Sequence, residues 1–279
     1  MTDVTVPPVA ELQALPSWRT VDFISDLHLG ADEPATFGAW QQYLRGTPAD
    51  AVFILGDLFE VWPGDDVIAA GTGSFEHGCA CALREAASRM AVFFMHGNRD
   101  FLVGQALMSF SHATLLPDPT VLGFSGQRWL LSHGDALCLD DVDYMRFREL
   151  VRGNAWQSDF LARPLAERQA IARELRRQSE ARKQPGAHDA RYADVDGAAT
   201  RQWLAAANAR TLIHGHTHQP AEHDLGDGLT RVVLSDWDLS ARPPRADVLR
   251  LSAAGLQRLD LASACASPPA TDLKAPRPC

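Results

Sequence analysis

Long apolar stretches are missing from this sequence. No run of about 18 such residues occurs, so no segment reads as a membrane span. The amino terminus also lacks the basic start and apolar centre of a secretory signal. Residues 1–19 carry three prolines and no hydrophobic period, and they read as an extended arm. Cysteine is scarce and odd in number. The five (Cys79, Cys81, Cys138, Cys265, Cys279) show neither disulfide-framework nor zinc-ribbon spacing. A reducing cytoplasmic setting is expected. Positive charge is in deficit, 26 Lys and Arg against 35 Asp and Glu, and a net charge of −9 excludes nucleic-acid binding by bulk electrostatics. No internal repeat is present, and nothing calls for an obligate protein partner. Residues 262–279, rich in Ala, Ser and Pro, are expected to be disordered.

A recurring event along the chain is a short apolar run that stops at a polar, metal-type side chain. Val21 to Ser25 runs into Asp26 and His28, and Val52 to Leu55 into Gly56-Asp57. Ala91 to Met95 runs into His96-Gly97-Asn98, Arg128 to Ser132 into His133-Gly134-Asp135, and Thr211 to Ile213 into His214-Gly215-His216-Thr217-His218. Such runs read as buried strands, and open α/β folds place their sites at strand carboxyl ends. Late strands are expected at 231–234 and 247–251, and residues 101–127 read as irregular with short strands. Helices are expected at 35–45, 76–90 and 193–208. Residues 59–66 read as a loop with exposed aromatics.

Asp26, His28, Asp57, Asn98, His133, His216 and His218 together offer nitrogen and oxygen donors without thiolate. That set suits Mn, Fe or Zn and argues against a structural cysteine site. In Asp26-x-His28 and His216-x-His218, side chains two apart on an extended chain would face one cavity. Two metals about 3.5–4 Å apart activate a water and hold phosphoryl oxygens during in-line attack. Asp57, with two carboxylate oxygens, is the natural bridge between them. The neutral Asn98 adds a ligand without charge and leaves the site positive for an anionic substrate.

These five blocks, in order, resemble the calcineurin-like metallophosphoesterases. The resemblance implies an α/β fold, a two-sheet β-sandwich flanked by helices with a helical cap insertion. It implies one metal on Asp26, His28, Asp57 and His218 and a second on Asp57, Asn98, His133 and His216, with two Mn2+ as the expected cofactors. From about Val21 to Leu261 the chain is further similar to the branch of that family acting on an acylated UDP-sugar, UDP-2,3-diacylglucosamine, in lipid A biosynthesis. The same five blocks carry that similarity, together with Leu58-Phe59-Glu60-Val61-Trp62, Asp100-Phe101-Leu102, Leu137-Cys138 and Asp140-Asp141. Asp57, Asn98, Arg99 and His216 become the expected catalytic set. Asn98, Arg99, Asp141, Ser179, Lys183 and His216 become the expected substrate contacts. Where many family members have a His proton donor after the metal-binding Asn, this chain has Arg99. A guanidinium forks onto phosphate oxygens but is a poor acid, which suits a leaving phosphate monoester. The alternative role for Arg99 is a salt bridge with Asp100, and that for Asp141 a helix N-cap. His96 and His214 are expected in supporting or core positions.

Residues 141–182 read as strongly helical, with breaks near Gly153-Asn154 and Pro164. Between Arg146 and Lys183 stand ten Arg or Lys and five Asp or Glu, interleaved with apolar residues. The expected organisation is an arm (1–19), a metallophosphoesterase domain (20–261) whose cap insertion is 141–186, and a tail (262–279). The cap would take acyl chains and meet an anionic lipid or the cytoplasmic face of the inner membrane. After Ser179 the chain departs from the branch pattern, reading Glu180-Ala181-Arg182-Lys183-Gln184-Pro185, with Lys183 the nearest candidate for the missing contact. The alternative substrate is a soluble nucleotide diphosphate or phosphodiester. A non-enzymatic scaffold would be expected to have lost donors, and all seven are present.

Overall fold

The computed structural model describes residues 6–70, 73–182 and 194–266. In chain order the elements are β1 (Ala10–Gln13), β2 (Thr20–Ile24), α1 (Pro34–Gly46), β3 (Ala51–Leu55), α2 (Phe75–Ala87), β4 (Ala91–Met95), α3 (Gln105–Ser111), β5 (Thr114–Leu116), β6 (Thr120–Phe124) and β7 (Gln127–Leu131). They continue with α4 (Val142–Arg152), α5 (Asn154–Leu161), α6 (Leu165–Arg182), α7 (Gly197–Ala206), β8 (Thr211–His214), β9 (Ala221–Gly226), β10 (Leu229–Val233), β11 (Asp247–Ser252), β12 (Gly255–Asp260) and α8 (Leu261–Ala264).

The strands form two six-stranded sheets, ordered β1-β6-β7-β8-β10-β9 and β12-β11-β2-β3-β4-β5. In the second sheet β2 to β5 are mutually parallel. The unbroken apolar sequences of β3 and β4 follow from burial on both faces. In β3, Ala51, Phe53 and Leu55 turn toward the opposite sheet, while Val52 and Ile54 turn to the helices outside. Phe53 stacks on Phe93 with centroids 4.6 Å apart and lies 5.3 Å from Phe23. The outer face of that sheet is covered by α1 and α2 through Trp40, Tyr43, Leu44 and Leu83, and the other sheet is covered by α7 through Trp203 and Leu204. The result is a β-sandwich with helices on both sides.

Four differences from the sequence reading have local causes. Residues 10–13, inside the expected arm, pair in parallel with β6 as an edge strand. Phe59 and Trp62, expected exposed, are only 1% exposed, because their loop folds onto the helical side of the core and Asp65 accepts the Trp62 indole N–H at 2.9 Å. The region read as irregular contains α3, whose N-terminal amides at 106 and 107 are capped from a distance by Asp65. The edge strands β9 and β12 were not expected, since their alternating polar residues face solvent. The helical segment breaks at Gly153 and before Leu165, close to where Gly153-Asn154 and Pro164 placed the breaks. Residues 262–264 of the tail expected to be disordered are instead helical, as the end of α8, and 267–279 lies outside the described residues.

Candidate metal centre

Asp26, Asp57 and Asn98 follow β2, β3 and β4 of one sheet. His133, His216 and His218 follow β7 and β8 of the other. The loops after β2 and β3 stay zipped beyond the strands: Asp26 N–H donates to the Gly56 carbonyl (3.1 Å) and His28 N–H to that of Asp57 (3.0 Å). Gly215 N–H donates to the His133 carbonyl at 3.0 Å. Glycine is required where these loops touch. A Cβ on Gly97 would stand 2.1 Å from Asp57 Oδ1, and one on Gly215 2.3 Å from Asp26 Oδ2.

The paired donors converge by a different device from the extended pleat expected. Asp26, His28, Asp57, His216 and His218 all have left-handed backbones, with φ between 48° and 68°. Side chains bearing a Cβ adopt this region at a cost of roughly 1–2 kcal/mol per residue, and such outliers gather at functional sites.

Two triads form within ligand-sharing distance, Asp26 with His28 and His218, and Asp26 with Asp57 and His133. Asp57 faces both rings through different oxygens, Oδ2 toward His28 Nε2 at 3.9 Å and Oδ1 toward His133 Nε2 at 3.8 Å. The amide oxygen of Asn98 lies 3.0 Å from His133 Nε2 and 2.8 Å from His216 Nδ1. His28 Nε2 and His218 Nε2 are 3.2 Å apart. The structure therefore brings all seven expected donors into one cluster.

The donor set fits divalent cations. His133 Nδ1 contacts the Leu55 carbonyl at 2.9 Å and must carry a proton there, so a neutral ring turns the Nε2 lone pair onto the Asn98 oxygen. Acceptor against acceptor is relieved by a cation, by an added proton, or by turning the Asn98 amide over. Burial disfavours a charged His133, but Asp57, Asp26 and Asp135 outweigh it and raise its pKa to about 9. Burial likewise opposes charge on Asp26, yet His218, His133 and His28 hold its carboxyl below the usual range. His216, buried and beside His133, is lowered to about 4 and stays neutral.

The calcineurin-like phosphoesterase profile matches residues 19–220, a span containing all seven donors. The chain belongs to the calcineurin-like phosphoesterases. Membership in this phosphoesterase family carries divalent-metal binding with it. Curated relatives include a UDP-2,3-diacylglucosamine hydrolase from Chromobacterium violaceum, 46% identical over 86% of this chain and 98% of that protein. Enzymes of the same name from Bordetella pertussis (44%, covering 85% and 93%) and Pseudomonas aeruginosa (44%, covering 78% and 91%) are also similar.

Around the phosphoesterase cluster, Glu60, Asp100 and Ser25 have roles that were not read from the sequence. Glu60 Oε2 lies 3.1 Å from His28 Nδ1, and its other oxygen 3.5 Å from Arg99. Arg99 thus pairs with Glu60 rather than with Asp100, while its backbone N–H donates to Asp57 Oδ1 at 2.8 Å. Asp100 instead accepts the backbone N–H groups of Gly97 (2.8 Å) and Leu58 (2.8 Å), binding the loops after β3 and β4 together. Ser25 donates to Asp26 at 2.5 Å. His96 reaches the Val103 carbonyl at 2.7 Å, and His214 is buried against its own chain at Gly215. Asp141 caps α4 by accepting Tyr144 N–H at 2.9 Å. Ser179 lies on α6, where only its backbone is described, and Lys183 lies outside the described residues.

Proposed function

We propose that this chain is a metal-dependent hydrolase that cleaves the diphosphate of UDP-2,3-diacylglucosamine into UMP and 2,3-diacylglucosamine 1-phosphate. One observation carries the reading: a relative of nearly equal length at 46% identity bears that substrate in its name, and in this chain five donors converge in two triads, with Asn98 and His216 beside them. Two Mn2+ ions bound there would supply an activated water and charge compensation at phosphorus. Asp26, His28, Asp57 and His218 would hold one, and Asp57, Asn98, His133 and His216 the other. Asp57 would be the shared residue, a reading supported by each of its oxygens facing a different imidazole.

The remaining work falls to the chain itself. Arg99, 15% exposed and held by Glu60, is placed to fork onto phosphoryl oxygens. It donates no proton, and none is needed by a leaving phosphate monoester. Asn98 and His216 steady the same oxygens as charge builds. The cap, 141–186, takes the acyl chains. Val142, Phe147, Leu150, Leu161 and Leu175 leave apolar surface open on α4 to α6, and Asp141, Ser179 and Lys183 are the proposed contacts to the sugar and nucleotide. No helix among the described residues is long and apolar enough to cross a membrane. In this reading the protein meets its lipid peripherally, at the cytoplasmic face of the inner membrane.

The test uses purified protein, Mn2+ and the lipid substrate in H2(18)O. UMP carrying the label is expected, since water attacks the α-phosphorus. Label in the lipid product would overturn the site of attack, and absence of UMP would overturn the substrate.

A further inference from the structure

The fourth strand-end motif, His133-Gly134-Asp135, contains one carboxylate with no part in the donor cluster. Asp135 is fully buried at the start of a single 3-10 turn. Its Oδ2 accepts the Tyr144 hydroxyl at 2.6 Å and Arg148 Nε at 2.8 Å, and stands 3.6 Å from Arg152 Nη2. All three partners lie on one face of α4, spaced four residues apart. The contacts continue to the donor loops. Arg152 donates to the Gly97 carbonyl at 2.9 Å, next to Asn98, and lies over the Phe101 ring at 5.4 Å. The Tyr144 ring lies beside that of His216, with centroids 5.9 Å apart.

Apolar packing does little to fix this helix. Val151 is its one buried residue, while Val142 and Leu150 are 53% and 59% exposed. A helix without a buried stripe has weak rotational register against its support. Two donors, the Tyr144 hydroxyl and Arg148 Nε, and the nearby charge of Arg152 on one buried oxygen supply register through geometry.

We infer that Asp135 is a positioning residue that registers the first cap helix on the metal-donor loops, so that the cap presents substrate to the phosphoryl site in one orientation. The same turn thus carries His133 toward the metals and Asp135 toward the cap, two residues apart. The kinetic part of this inference rests on the proposed substrate, but the anchoring itself does not.

The experiment compares wild type with Asp135→Asn, which keeps shape and loses charge, and with Arg148→Gln, which removes one leg from the cap side if the buried change prevents folding. Hydrogen exchange of α4 amides is expected to speed about tenfold while β3 and β4 amides are unchanged. Titration of Arg148→Gln, which keeps the carboxylate beside His133, with Mn2+ alone should give an affinity close to that of wild type. With the lipid substrate, KM should rise on the order of tenfold, more than kcat falls. Unaltered α4 exchange in both variants would overturn the anchoring. Mn2+ affinity of Arg148→Gln falling in step with its activity, or a loss confined to kcat, would overturn the positioning role in favour of a direct effect on the centre. If wild type releases no UMP, the substrate reading fails, and the exchange result still decides the anchor.

Discussion

Phe53 and Phe147 both sit on regular elements, yet one is sealed between two sheets and the other lies 39% exposed on α4. The contrast extends to everything around them. In the sandwich, β-strands and α1, α2 and α7 meet through rings and aliphatic chains that leave almost no exposed area. In α4 the ties to the rest of the molecule are largely polar, while α5 and α6 also pack Trp156, Phe160, Leu165 and Ile171 against the helical side of the core. Asp135 holds Tyr144, Arg148 and Arg152, and the buried Arg168 reaches Asp66 and the Pro63 carbonyl. Apolar burial gives stability without direction. Charge-assisted hydrogen bonds give direction and leave apolar side chains free for another use. The sandwich is a platform, and α4 is fastened to it at chosen points.

This contrast can be broken at several places. The largest effect belongs to the donor cluster: Asp57→Ala should lower turnover on the order of 1000-fold or more while leaving the melting temperature of the metal-free protein little changed. Initial rates and thermal melts check it, and near-normal Mn2+-dependent activity would refute the bridging role. Phe53→Ala should cost about 3–5 kcal/mol in urea unfolding, as expected for a large ring removed from a packed core. Metal uptake should be strongly pH-dependent. With His133 holding a proton up to about pH 9 in the metal-free protein, Mn2+ must displace it, and apparent affinity should rise about tenfold per pH unit from 6 to 8 by calorimetry. The raised pKa also fixes a sign for metal-free stability. The contribution of charged His133 is full below its unfolded pKa near 6.5 and is lost as pH rises through about 9.

Arg168→Ala should cost less than the core substitution, about 1–3 kcal/mol, because Asp66 is 54% exposed and rehydrates. Its signature should be earlier proteolysis within α6. Phe147→Ala should change stability by no more than about 0.5 kcal/mol yet raise KM for the acylated substrate. Loss of stability there with no change in KM would mean that the exposed ring serves the fold, and the division between platform and cap would fail at that residue.

The ends of the five strands were legible because a buried apolar run seldom halts at His, Asp or Asn unless those side chains have a polar task at the sheet edge. The helical breaks were legible because Gly and Pro interrupt hydrogen bonding locally. What stayed hidden depends on the third dimension. The left-handed backbones at five donor positions leave no trace in residue type, since Asp and His are not glycine. Phe59 and Trp62 follow a Gly-Asp turn and look like loop residues until the loop is seen folded onto the core. The roles of Asp100 and Glu60 require knowing which backbone amides or rings they face, although both lie inside the family motifs. Edge strands β9 and β12 carry too few apolar residues to show a period.

The donors come from both sheets: Asp26, Asp57 and Asn98 from one, His133, His216 and His218 from the other. A chain in which only one sheet has formed, or in which the two have not yet docked, holds half a site. Cation affinity is therefore created by the last step of assembly and adds its free energy only to the completed sandwich. Folding and activation become one event. Metal occupancy reports that the two halves have closed, and withdrawal of the cation weakens the seam between the sheets first.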